Sequence, residues 1–90
     1  MKTGYQRRQD SNHASIVHDL RKLGYAILDL SRVAGGCPDL LICKQGKWWL
    51  VEIKSSAASK LNKKQIEWRK TWNGPAPLTA RSIDDILMWV

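Results

Sequence analysis

The sequence predicts a small α/β domain, with a central mixed sheet flanked by helices in the order α-β-β-β-α-β-α. Three observations lead there. Ninety residues suit one domain with a modest core. A hydrophobic content of 43% is that of a globular chain rather than a disordered one. Apolar residues recur at helical spacing in some segments and alternate with period two in others, with Gly, Pro and Asn between them.

Residues 1–10 read as a flexible basic arm and residues 11–90 as a single domain. Asp10, Ser11 or Asn12 is placed to cap a first helix running to about Leu23, with Ile16, Val17, Leu20 and Leu23 as its apolar stripe and Gly24 as its stop. Tyr25 to Leu30 alternates as a strand: Ala26, Leu28 and Leu30 on one face, Tyr25, Ile27 and Asp29 on the other. Ser31 to Pro38 is a glycine-containing connection. Strands at about 39–44 and 47–54 form a hairpin about Gln45-Gly46, and Ser55 to Ser59, small and polar, is a loop. Asn62 with Gln65 makes a capping box for a second helix running to Asn73, where Gly74, Pro75 and Pro77 block continuation. Leu78 to Arg81 is a short strand. Ser82 with Asp85 starts a last helix through Ile86, Leu87 and Trp89. No internal repeat or domain boundary is visible.

A formal net charge of +7 favours a polyanionic partner, either nucleic acid or an acidic membrane surface. Lys60, Lys63 and Lys64 cluster where the second helix begins, the end at which the macrodipole disfavours cations. Cations placed against that preference make sense as phosphate contacts. Arg7 and Arg8 on the arm, with Arg69 and Lys70, extend the basic supply. No apolar run is long enough to span a membrane, and the polar start lacks the apolar core of a signal peptide. Cys37 and Cys43, six apart on an extended segment, are too distant for a disulfide and lack CxxC spacing, so they are expected to be reduced core thiols in the cytoplasm.

The chemistry lies in the hairpin. A two-residue turn at Gln45-Gly46 pairs Lys44 with Lys47, and counting outward sets Asp39 opposite Glu52. Directly opposed residues share a face, and so do Glu52 and Lys54. Opposed carboxylates have Cβ atoms roughly 5 Å apart and repel unless a divalent cation sits between them. Hard oxygen ligands suit Mg²⁺, with Asp39, Glu52 and the backbone carbonyl of Ile53 as the protein share and Lys54 beside them to orient water or stabilise a pentavalent phosphorus. A surface Glu52–Lys54 salt bridge would explain the Glu-x-Lys spacing but not Asp39. In the second helix, Leu61, Gln65, Trp68 and Trp72 form one stripe. Its polar member, Gln65, either only caps the helix or also reaches over the acidic face.

Pro38-Asp39 followed after a hairpin by Glu52-Ile53-Lys54 resembles the PD-(D/E)XK nuclease motif. The short length, the Gly35-Gly36-Cys37 approach and Gln65 on the following helix are similar to one branch, the VRR-NUC (virus-type replication-repair nuclease) domains and phage Holliday-junction-resolvase-like proteins. The resemblance runs from Asn12 to the last helix. It implies a restriction-endonuclease-like core and cleavage of DNA phosphodiesters with Mg²⁺, or Mn²⁺ in its place. It implies catalytic roles for Asp39, Glu52, Lys54 and Gln65, branched DNA as partner, a homodimer, no membrane, and the host cytoplasm if the chain is phage-encoded. Many relatives carry a glutamate in the first helix. Here Asp10, Ser11, Asn12 and His13 stand in that region, so Asn12 or His13 fills the place through water, Asp10 reaches in, or the metal is held by fewer carboxylates.

The remaining candidates read as less specific. His13 and His18 are off the i, i+4 spacing that presents both to one metal, with His18 expected exposed and His13 near the cap or DNA. Asp29 is expected solvated, and Asp84 and Asp85 complement a helix N-terminus. Of the five tryptophans, Trp68 and Trp72 are expected in the core. Trp48 and Trp49 point to opposite faces, so one is open to a base or a dimer partner. The competing function is a non-catalytic basic DNA-binding module whose acids are structural; RNA cleavage is a third reading.

Overall fold

The computed structural model describes residues 10–56 and 58–90. The arm carrying Arg7 and Arg8 lies outside the described residues. Seven elements follow the expected order: α1 (His13–Lys22), β1 (Ala26–Asp29), β2 (Leu40–Lys44), β3 (Lys47–Ile53), α2 (Lys63–Thr71), β4 (Leu78–Ala80) and α3 (Ile83–Leu87). The sheet has four strands in the order β1-β2-β3-β4. The first three form an antiparallel meander, and β4 joins β3 in parallel after the crossover that contains α2. No described helix is long and apolar enough to cross a membrane.

The hairpin turn is local chemistry. Gln45 and Gly46 both have positive φ, 54° and 80°, the pairing a type I′ turn needs to match the twist of its strands. It sets Lys44 against Lys47 and carries the register outward to Leu40 against Val51.

Strand alternation then divides the sheet into two unlike faces. On one, Leu40, Ile42, Val51, Ile53 and Ala80 meet Ile16, Val17 and Leu20 of α1 and Ile86 of α3, making the core. Tyr25 belongs to this core and Ile27 packs against it, so β1 turns its Tyr25–Asp29 face inward and leaves Leu28 exposed. On the other face, Leu41, Cys43 and Leu50 are half-buried and Trp48 is exposed, while Trp49 packs on the core side. Neither cysteine is in a disulfide, and both are half-buried rather than in the core.

Several ends and burials differ from expectation. Helix α1 stops at Lys22, and Leu23, its C-cap, is exposed. Helix α2 stops at Thr71, since Trp72 is already extended. Trp68 and Trp72 are not core residues: they stack on each other, centroids 4.9 Å apart, and the Trp72 Nε1 donates to the Pro75 carbonyl at 2.8 Å. Helix α3 ends at Leu87, leaving Met88 and Trp89 exposed.

Candidate metal and phosphate site

Leu40–Val51 is the last paired couple of β2 and β3, so the next residues outward are Asp39 and Glu52. Glu52, between the core residues Val51 and Ile53, lies on the face away from the core. Both acids are deeply buried, at 5% and 2% exposure, where a carboxylate is costly unless donors or cations compensate it. One oxygen of Asp39, Oδ2, accepts the Ile53 N–H at 2.8 Å. That bond holds Asp39 against β3 just where β2 has ended. Along a strand a residue's N–H and C=O point toward the same neighbour, so the Ile53 carbonyl lies on the Asp39 side.

Gln65 has both the roles that the sequence left as alternatives. Its N–H donates to Asn62 Oδ1 at 2.9 Å, and its Oε1 accepts the Asn62 N–H at 2.9 Å, completing the capping box. With Oε1 committed to an N–H, the amide's other end must be the donor. That donor, Nε2, meets Glu52 Oε2 at 2.9 Å. The cap therefore orients the amide that holds the glutamate.

Lys54 follows β3 and continues its ladder through an N–H bond to the Ala80 carbonyl at 2.9 Å. Only 8% of the residue is exposed. It shares the face of Glu52, two residues along, and buried lysines are rare without a charge partner.

The first helix reaches the site through main-chain contacts. Asn12 Nδ2 donates to the Lys54 carbonyl at 3.2 Å and the Arg81 carbonyl at 3.0 Å. Its Oδ1 is buried with no hydrogen-bond partner among the described residues. Asp10 Oδ1 accepts the Ser55 N–H at 3.2 Å, next to Lys54. His13 does not join this group. It is buried on the core side, with Nε2 at 3.1 Å from Asp29 Oδ2. Asp29 is exposed but not merely solvated. Burial alone would raise its carboxyl, yet hydrogen bonds from the Ser31 side chain and N–H, together with His13, hold it below its ordinary value. His18 is exposed as expected.

The basic residues separate into two sets. Lys60, Lys63 and Lys64 are exposed, with no acid in the first turn of α2. Arg69 is instead tied to Thr79 Oγ1 at 3.1 Å, and Lys70 pairs with Glu67 at 3.2 Å. Arg81, which sequence reasoning passed over, clamps the 55–59 loop by donating to the Ser56 and Ser59 carbonyls, each at 2.9 Å. Nothing short of the folded loop signals that role.

Among the described residues no three His, Cys, Asp or Glu side chains converge as a metal-binding group. The oxygen groups that could hold a cation there are the Asp39 and Glu52 carboxylates and the Ile53 carbonyl. No family model, curated protein or solved structure matches this chain.

Proposed function

We propose that this chain is a metal-dependent endonuclease that hydrolyses DNA phosphodiester bonds on a restriction-endonuclease-like core of the VRR-NUC type. The observation that carries the reading is that Asp39 and Glu52, the residues next outward from the last paired couple of β2 and β3, are both buried, with a buried Lys54 two residues beyond Glu52. The element order and the parallel return of β4 beside β3 are consistent with such a core. Asp39, Glu52 and the Ile53 carbonyl would hold Mg²⁺, with Mn²⁺ as a substitute. Once bound, the cation lowers the pKa of a water and neutralises charge on the scissile phosphate.

The chain's own groups supply the rest. Lys54 holds the attacking water or the equatorial phosphate oxygens by charge, in a site where burial strengthens electrostatics. Gln65 fixes the Glu52 carboxylate and keeps it from turning toward solvent. Asn12, with its buried acceptor oxygen beside Lys54, supports a water-mediated contribution from the first helix. Lys60, Lys63 and Lys64 take backbone phosphates at the start of α2, without reading sequence. The domain is small, and shape recognition of branched DNA by a homodimer fits it, with one active site for each strand.

The test is a panel of four-way, flap and linear duplex DNA, incubated with Mg²⁺ or EDTA. We expect nicking only with the metal, preferring branched DNA, and a loss on the order of 10²-fold or more in Glu52→Ala and Lys54→Ala. Retardation of every substrate without nicking would leave a binding module. Cleavage of matched RNA alone would redirect the substrate.

A further inference from the structure

The far end of the hairpin repeats the logic of the acidic site with the opposite sign. Lys44 and Lys47 face each other across the turn, and like charges directly opposite are destabilising. Among the described residues neither ammonium has a carboxylate within salt-bridge reach. Lys44 is nonetheless ordered. Its Nζ donates to the Leu23 carbonyl at 3.1 Å and sits 4.5 Å above the Tyr25 ring. The two lysines edge a cavity of about 310 Å³ whose walls include three aromatic rings, Tyr25, Trp49 and Trp89. The rest of its lining is Gln45 and Val90. Trp49 is backed by the core, whereas Trp89 is 68% exposed.

We propose that this cavity binds an unpaired nucleotide of single-stranded DNA, its base on the Trp89 ring and its phosphate between Lys44 and Lys47. Paired cations beside stacking aromatics are the combination that grips single strands without reading their sequence. An acidic peptide would satisfy the lysines but leave the exposed indole unused. The choice of DNA rests on the nuclease reading above; the binding itself needs no catalysis. The cavity is separate from the acids. Lys47 and Glu52 are five residues apart, roughly 17 Å along the strand and on opposite faces of the sheet. A strand held here therefore anchors the substrate and takes no part in the chemistry.

Binding of a fluorescent oligo-dT and of a duplex of equal length is measured by anisotropy in EDTA, so that failure of cleavage and failure of this site are told apart. Lys47 and Trp89 are both exposed, and thermal melts of the variants should overlay the parent's. Trp89→Ala is expected to weaken oligo-dT binding roughly tenfold. Lys47→Ala should flatten the slope of log affinity against log salt by about 0.7. Photo-crosslinking of a halogenated oligonucleotide should map to the peptide holding Trp89 or to Tyr25. The proposal is overturned if both variants bind oligo-dT like the parent, if duplex binding falls as much as single-strand binding, or if the crosslink maps elsewhere.

Discussion

On one face of the sheet, α1 and α3 lay Ile16, Val17, Leu20 and Ile86 onto the strands. On the other, α2 buries a single residue, and that residue is the polar Gln65. Helix α1 is held by shape and the exclusion of water, which tolerate sliding but not loss of volume. Helix α2 is held by directed contacts: Gln65 on Glu52, Arg69 on Thr79, and a close approach of its first turn to Gly36. The apolar face supplies most of the folding free energy. The polar face gives up that energy and in return fixes the buried carboxylates, Glu52 through Gln65 and Asp39 through the Ile53 N–H. Ion pairs and hydrogen bonds contribute modestly in net terms but are demanding about direction, which is what a site requires.

The sharpest way to test this contrast is to remove volume from the apolar face. Leu20 is fully buried among α1, the sheet and α3. Leu20→Ala should cost about 2–5 kcal/mol in urea unfolding, a large share of a small domain's total. A loss below about 1 kcal/mol would mean that α1 is not the helix on which the core depends.

A smaller effect is expected where α2 docks. A Cβ on Gly36 would clash with the Lys64 carbonyl, and the residue has a φ of +85°. Gly36→Ala should therefore cost about 1–3 kcal/mol and displace the helix that carries Gln65. Gly35 has the same φ but nothing within 4 Å of its Cβ. Gly35→Ala is thus a control for backbone strain alone. Equal losses in the two variants would show that α2 is not held at that contact.

The smallest effect concerns the pair that joins α1 to β1. The Asp29 carboxyl is held below its ordinary value. A depressed carboxylate stabilises the fold above its unfolded pKa, near 4, and that contribution is lost as pH falls through the lower folded value. Asp29 is 41% exposed, so solvent screening keeps the effect under about 1 kcal/mol. Asp29→Asn should lower stability slightly at pH 7 and close the gap to the parent below about pH 4. A gap that persists in acid would assign the effect to the hydrogen bonds rather than to charge.

The comparison of faces also explains which parts of the molecule could be read beforehand. The register of β2 on β3 followed from a two-residue turn and a period of two, both local properties, so it was legible that Asp39 and Glu52 come next outward from the paired strands. So were the Asn62–Gln65 box and the Ser82 cap, which depend on residues three apart. The fate of the hydrophobic residues was not. Trp68 and Trp72 keep helical spacing yet stack on each other, because α2 faces acids rather than an apolar surface. Leu23 and Leu28 are exposed for a related reason: their position relative to α1 and the sheet is set by chain reversal and strand pairing, not by their own apolarity.

By itself the sequence determined the order of the elements, the turn, the register it propagates and the two helix caps, since each needs only neighbours along the chain or across one turn. Tertiary structure alone decided that His13 pairs with Asp29 rather than approaching the acids, that Asn12 bridges the Lys54 and Arg81 carbonyls, and that Arg81 clamps the loop after Lys54. Those contacts join residues 16 to 69 positions apart. No local periodicity encodes such separations; they exist only once both faces of the sheet are covered and each polar group must find its partner where packing has left it.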